Sequence, residues 1–156
     1  MKKKIMFNLL IIISIFIITG CNSKKTDDEI NSIENNNEYY SGVSNSMKII
    51  IDNNEYLVNL EDNDTAADLI NLLPLEINMK ELNGNEKYFY LDSSLPTNSY
   101  KPGHINAGDI MLYGDNCLVI FYKSFDTSYS YTKIGHINNL QDLGNDNVLV
   151  KFEMEG

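Results

Sequence analysis

The chain alternates short hydrophobic runs with polar turns from residue 47 onwards, and the first runs are paired. "MKIII" and "EYLVNL" flank a turn at residues 52–54, where Asn tolerates the positive φ of a tight reversal. In "LEINMKEL", Leu75, Ile77 and Met79 alternate with polar residues, and Asn83-Gly84 then leads into "KYFYL". Each pair of runs predicts an antiparallel β-hairpin.

One segment, "DNDTAADLINLLP", has the spacing of a helix. Residues 62–64 offer capping side chains, and Ala66, Leu69 and Leu73 recur at helical intervals. Pro74 cannot continue an α-helix and predicts its end. The segment is predicted to form a single amphipathic helix.

The second half of the chain adds further strands with little additional helix. "DIMLY" and "CLVIFYK" flank the turn at 114–116, and the second of them is apolar on both faces, which predicts a strand inside the core. "TKIGHI" and "NVLVKFEM" supply two more strands. About eight strands in one domain predict a mainly β fold, either a closed barrel or a sandwich.

The N-terminal residues have the pattern of a secretory signal peptide. Lysines occupy positions 2–4, and an apolar stretch follows from Ile5 to Ile18. That stretch is shorter than the roughly 20 apolar residues of a membrane-spanning helix, and Asn8 and Ser14 interrupt it. Residues 1–20 are therefore predicted to be a signal peptide.

The end of this segment, "ITGC", resembles the lipobox of bacterial lipoproteins. The resemblance implies that Cys21 becomes the N-terminus and carries lipid, including palmitate, which holds the protein durably at a membrane. The alternative is an ordinary cleaved signal with an accidental Cys. The lipobox predicts a location in the bacterial cell envelope, on the extracytoplasmic side of a membrane.

Residues 21–46 are rich in Asn, Ser and acids and have no apolar period, which predicts a disordered tether after the lipidated Cys. Without residues 1–20 the chain has nine Lys against 22 Asp plus Glu, a net charge of −13. Because nucleic-acid binding requires cationic side chains, nucleic acid is excluded as a partner.

Three stretches carry a resemblance to a known family: "DNDTAADLI", "LPLEINMKELNGNEKYFYL" and "LPTNSYKPGHINAGDIMLYGDNCLVIFYKSFDTSYSYTKIGHI". They are similar to the bacterial cyclophilin-like fold family, largely uncharacterised in function. The resemblance implies a closed eight-stranded β-barrel with one or two short helices over residues 47–156. It does not imply an activity by itself.

Cyclophilins proper are prolyl isomerases whose catalysis uses an Arg beside an apolar pocket. This sequence contains no Arg, and Lys lacks the planar fork of donors that Arg provides. Twisting a prolyl amide needs only a donor and an apolar pocket, so a Tyr or Ser hydroxyl offers a replacement. Prolyl isomerisation of exported proteins remains the alternative to a non-catalytic role.

Two long loops, at 93–109 and 124–131, contain all the candidate binding residues except Tyr113, which ends the "DIMLY" run. Tyr and Ser together provide rigid amphipathic area and adaptable hydrogen bonds, a mixture typical of recognition surfaces. Neither a metal site nor a cofactor is predicted, because the two His lie far apart and Cys117 has the pattern of a buried, inert thiol. The aromatics of 124–131 are alternatively explained as packing at the barrel end.

The sequence therefore predicts a module that binds a peptide or small molecule, in a groove to which Tyr88 and Tyr90 also contribute. The candidate ligand contacts are His104, Tyr113, Ser124, Phe125, Ser128, Tyr129 and Tyr131.

Overall fold

The computed structural model describes residues 46–155, and these form a closed β-barrel. The predicted fold class is confirmed. The predicted signal peptide, Cys21 and nearly all of the tether lie outside the described residues. The strands are β1 (Met47–Ile51), β2 (Asn54–Leu60), β3 (Leu75–Leu82), β4 (Glu86–Tyr90), β5 (His104–Ile105), β6 (Asp109–Tyr113), β7 (Cys117–Phe121), β8 (Phe125–Asp126), β9 (Thr132–Ile137) and β10 (Val148–Met154), and the helix is α1 (Asp64–Asn71).

Eight antiparallel strands close the barrel in the order β1-β10-β3-β4-β7-β6-β9-β2, with β2 paired back to β1. The remaining two strands, β5 and β8, form a separate two-stranded sheet. The segment 124–131 thus includes a short strand that its sequence pattern did not reveal. Among residues 46–155, no helix has the length and hydropathy needed to cross a membrane.

Both predicted hairpin turns use the left-handed backbone region. Asp52 and Asn53 have φ of 48° and 66°, and Asn83 and Gly84 have φ of 58° and 71°. Asn, Asp and Gly adopt such conformations more readily than other residues, and these turns suit the twist of the flanking strands. The turn residues therefore set the register of the two hairpins.

Helix α1 begins where the capping residues predicted it. The Asn63 side chain accepts a hydrogen bond from the Ala66 amide at 2.9 Å, which satisfies one of the free N–H groups of the first turn. The helix buries Ala66 and Leu69 against the barrel core and ends at Asn71, three residues before Pro74.

The side chains of β7 are buried on both of its faces, as its uninterrupted apolar sequence predicted. Leu118 and Ile120 belong to the cluster inside the barrel. Cys117, Val119 and Phe121 point the other way and belong to a second cluster on the outer face. A second apolar layer, which includes part of the 124–131 segment, therefore covers this side of the barrel.

A fully buried ammonium group fastens one end of the barrel. The Lys87 Nζ lies 2.6 Å from Glu81 Oε2 and donates to the carbonyls of Gly144 and Asp146, each at 2.7 Å. Glu81 also accepts from the Tyr122 hydroxyl at 2.7 Å. Because all three ammonium hydrogens have acceptors, the charge is compensated, and the β9–β10 connection is tied to the β3–β4 hairpin.

Replacing Lys87 with Met is expected to destabilise the fold by about 3 kcal/mol, because it leaves the Glu81 carboxylate and two carbonyls without their donor. Thermal or urea unfolding followed by circular dichroism measures the change. Lys80→Met, at an exposed position on β3, is the matched control and should change stability by less than about 0.5 kcal/mol. An equally small effect of Lys87→Met would contradict the assignment.

Candidate functional site

A groove lies on the outer face of the barrel, over strands β4, β6 and β7. Alternation along β4 directs Glu86, Tyr88 and Tyr90 outwards, and their partners across the ladder are Phe121, Val119 and Cys117 of β7. The groove has a volume of about 300 Å³. We call it the tyrosine groove; its lining residues are Leu82, Asn83, Glu86, Tyr88, Tyr90, Tyr113, Cys117, Val119, Tyr129 and Tyr131.

The connection between β8 and β9 forms one wall of this groove. Tyr131 is buried, exchanges two backbone hydrogen bonds with Tyr100, and its ring lies edge-on to Phe121 at 5.5 Å. Tyr113 contacts both Tyr129 and Tyr131, with ring centroids 6.1 Å and 5.6 Å apart. Such edge-to-face and tilted contacts are favourable aromatic geometries, so the rings hold one another in place.

A smaller cavity of about 190 Å³ adjoins the tyrosine groove. The two share Asn83, Glu86, Tyr129 and Tyr131, so they form one continuous recess. We call the smaller cavity the side pocket; its lining residues are Asn83, Asn85, Glu86, Phe125, Asp126, Thr127, Ser128, Tyr129 and Tyr131.

Glu86 is the one residue with a charged side chain among those lining the tyrosine groove. Its side chain is half-buried, and no hydrogen bond or ion pair to it is found within residues 46–155. Burial, and secondarily the negative charge of Glu81, raise the pKa of Glu86 to about 7. The groove therefore contains a carboxyl group that changes its charge near neutral pH.

The neighbouring carboxylate of Glu81 shows how different Glu86 is. Burial by itself would raise the pKa of Glu81, but hydrogen bonds from the side chains of Lys87 and Tyr122 and from the Gly84 amide outweigh burial and lower it. Glu81 is thus committed to the structure. Glu86 has no such donors within the described part of the chain, so its carboxyl group is not engaged there.

The structure brings five of the seven predicted contact residues together. Tyr113, Tyr129 and Tyr131 line the tyrosine groove, and Phe125 and Ser128 line the side pocket. Tyr131 packs in the outer cluster, as the packing explanation expects, whereas Tyr129 is 62% exposed and its role in recognition stays a prediction.

The other two predicted residues lie outside both cavities. His104 begins β5, where its Nδ1 contacts the Asp126 carboxylate at 2.7 Å and both side chains are exposed. The Ser124 hydroxyl accepts a hydrogen bond from the Ala107 amide at 2.9 Å. Both interactions join the 93–109 loop to the 124–131 segment, so these residues shape the wall of the recess without lining it.

Glu86 was not among the predicted contacts, although Tyr88 and Tyr90 were expected in the groove. A period of two along "EKYFY" places Glu86 on the same face as those two tyrosines. That alternation was the available signal, but the same residue at a strand end also fits a solvated position.

Two other groups with catalytic potential, Asp109 and Cys117, are buried, and the one buried side-chain atom without a hydrogen-bond partner among residues 46–155 is Asn85 Oδ1. Asp109 is buried and contacts His136 at 3.0 Å, and it accepts a hydrogen bond from the Asn106 amide at 2.8 Å. The Cys117 thiol is buried, as predicted, and burial, the dominant influence, raises its pKa. Within residues 46–155, no group of three or more His, Cys, Asp or Glu side chains is arranged to hold a metal ion.

Comparison with protein families agrees with this architecture. The model of the cyclophilin-like family matches residues 49–153, which include the complete barrel apart from the first two residues of β1 and the last of β10. The chain belongs to the cyclophilin-like family. No match was found among curated proteins or among solved structures. The chain contains no Arg. The outer groove of this cyclophilin-like domain is lined by tyrosines and one carboxyl group instead.

Replacing Glu86 with Gln is expected to stabilise this cyclophilin-like domain at high pH. The pKa of Glu86 is raised from 4.5 to about 7, so its favourable contribution is full below pH 4.5 and is lost as the pH rises through 7. Above pH 7 the variant should gain about 2 kcal/mol, a value discounted for partial exposure. The gain should vanish near pH 4.5.

Thermal unfolding at about pH 5 and pH 8, followed by circular dichroism, tests this dependence. Glu55→Gln is the matched control, because Glu55 lies on β2, on the opposite side of the barrel, in an exposed contact with Lys48. A Glu86→Gln variant with the same pH dependence as the wild-type protein would refute the raised pKa.

Proposed function

We propose that this cyclophilin-like domain is a binding module for an extended polypeptide segment, which lies in the tyrosine groove. The observation that carries the proposal is the clustering of exposed apolar side chains around that groove. Tyr90, Tyr113 and Tyr129 are 60%, 45% and 62% exposed, and Leu82 is 42% exposed beside them. Exposed apolar groups gathered at one recess mark a recognition site rather than an ordinary surface.

The shape of the recess supports a chain-like ligand. The tyrosine groove and the side pocket run into one another and are both open to solvent. Because the barrel is closed, its strands have no free edge at this face, so a ligand is recognised by side chains rather than by strand addition. Tyrosines supply broad contact area at a low entropic cost.

The N-terminal segment supports a site of action at a membrane. The signal-like residues 1–20 and the lipobox-like "ITGC" favour export and lipid attachment at Cys21. The polar residues that follow provide a spacer between the lipid and the barrel. On this proposal the module works in the bacterial cell envelope, on the extracytoplasmic side of its membrane.

Prolyl isomerisation is the second candidate, because the domain has the cyclophilin-like barrel and the groove offers tyrosine hydroxyl groups as donors. The absence of Arg weighs against it, since no planar guanidinium is available to bind the prolyl amide. Binding without catalysis therefore agrees better with the residues present.

The two functions are separated by NMR on the full chain in detergent micelles, with the tetrapeptide series Ala-Ala-Pro-Xaa as the probe. Binding predicts shifts of the amides of Tyr88, Tyr90 and Tyr129 and no acceleration of cis–trans exchange in the peptide. Clear acceleration, at a level comparable to a known cyclophilin, would establish the second candidate instead. Absence of both shifts and exchange would refute a peptide site.

Tyr129→Ala is expected to weaken binding of these peptides about tenfold, because it removes an exposed aromatic wall of the groove. Leu57→Ala is the control, since Leu57 is 57% exposed and belongs to β2 on the opposite side of the barrel. Equal affinities for both variants would show that the ligand lies elsewhere.

Cys21→Ala is expected to abolish incorporation of labelled palmitate and to release the protein from the membrane fraction. Cys117→Ala is the matched control and should retain the label, because Cys117 is a buried residue of the barrel. Labelling that persists in Cys21→Ala would contradict the proposed anchor.

A further inference from the structure

The two charged residues that line the recess are both acidic, although Lys80, the partner of Tyr88 across the β3–β4 ladder, lies on the same outer face beside the groove. Glu86 lines both cavities and Asp126 lines the side pocket, while the residues named for the two cavities include no Lys. Lys87, the nearest cation in the sequence, points to the opposite face of β4 and is fully engaged by Glu81 and two carbonyls. The recess therefore complements a ligand with a positive charge.

The Glu86 carboxyl group also has unused hydrogen-bonding capacity. No donor is found for it among residues 46–155, although its side chain is half-buried. Removing a carboxylate from water without supplying donors is unfavourable. A ligand that brings N–H donors would relieve this penalty, whereas a neutral apolar ligand would increase it.

The tyrosine rings of the groove suit the aliphatic part of a ligand whose charged head lies at Glu86. Five tyrosines line the groove, and the rings of Tyr88 and Tyr90 lie edge to face with centroids 5.8 Å apart. Aromatic rings attract cations through their quadrupole, and they also pack against alkyl chains. A basic side chain combines these two features, because it has an aliphatic stem and a charged, hydrogen-bonding head.

We propose that the tyrosine groove binds the cationic head of a Lys or Arg side chain in the extended peptide, with the Glu86 carboxylate as its counter-ion. This inference rests on the proposed function and names the chemistry that its ligand carries. The open side pocket accommodates the neighbouring residues of the peptide, and the tyrosine rings surround the aliphatic stem.

Protonation of Glu86 competes with the cation. The pKa of Glu86 is about 7 because of burial and the charge of Glu81, so a cation that requires the carboxylate binds more weakly in acid. The pKa of Cys117 is raised chiefly by burial, as is that of Tyr131, so these groups stay neutral near pH 7. The titratable groups around Glu86 are Lys80 and Glu81 from β3, Lys87, Tyr88 and Tyr90 on β4, Tyr113 from β6, Cys117 from β7, Tyr122 just after β7, Asp126 from β8, and Tyr129 and Tyr131 from the β8–β9 connection.

The test is a titration of the full chain in detergent micelles with two blocked tripeptides, Ala-Lys-Ala and Ala-norleucine-Ala. Norleucine has the four-carbon stem of Lys without its ammonium group. At about pH 8 the Lys peptide should bind at least tenfold more tightly, and its affinity should fall about tenfold between pH 8 and pH 6. Glu86→Gln should remove both the preference and the pH dependence, while the matched control Glu55→Gln should keep them.

The outcomes separate this inference from the proposed function. Equal binding of the two peptides would show that the groove does not select a cationic side chain, while the proposal of a peptide-binding groove would stand. If neither peptide binds to protein that circular dichroism shows to be folded, the inference is overturned. That result would also count against the groove as a peptide-binding site. Binding of n-pentylammonium as tightly as the Lys peptide would show that the groove recognises a free amine and would contradict a peptide ligand.

Discussion

The double-sided burial of strand β7 is the constraint on which the rest of the structure depends. Leu118 and Ile120 fill the barrel, while Cys117, Val119 and Phe121 carry the outer apolar layer on which the tyrosine groove is built. Because successive residues of a strand face opposite ways, the core and the groove floor share one backbone. The floor of the groove is therefore fixed by the same strand that fills the core.

The same alternation gives two neighbouring charged residues opposite roles. Lys87 points into the end of the barrel, where its three acceptors compensate its charge and close the structure. Glu86 points into the groove, where it lacks donors and its pKa rises to about 7. The buried charge of Lys87 is compensated, as folding stability requires, whereas the half-buried carboxyl group of Glu86 is not. An uncompensated group of this kind is expected where function rather than folding determines the residue.

Membership of the cyclophilin-like family fixes the scaffold but leaves the chemistry of the groove open. A barrel without Arg cannot hold a substrate amide with a guanidinium fork. The groove instead combines exposed tyrosines with a single carboxyl group, and this composition favours recognition of a chain that carries positive charge. Because the protein is strongly acidic, long-range attraction acts in the same direction as these local contacts.

The sequence by itself determined the strands and hairpins, since alternation in "LEINMKEL", the Asn83-Gly84 turn and the apolar run of β7 are local signals that the structure confirms. These patterns fitted a barrel or a sandwich, and the family resemblance implied the barrel that the structure shows. It also indicated all five tyrosines that line the groove. Only the tertiary structure decided which side chains meet there. Strands far apart in the chain bring Glu86 beside the 124–131 segment. The β5–β8 pairing holds His104, and the Ala107 amide holds Ser124, outside the lining of the recess. Such pairings between distant segments leave no periodic trace in either one, because each depends on the closure of the whole barrel.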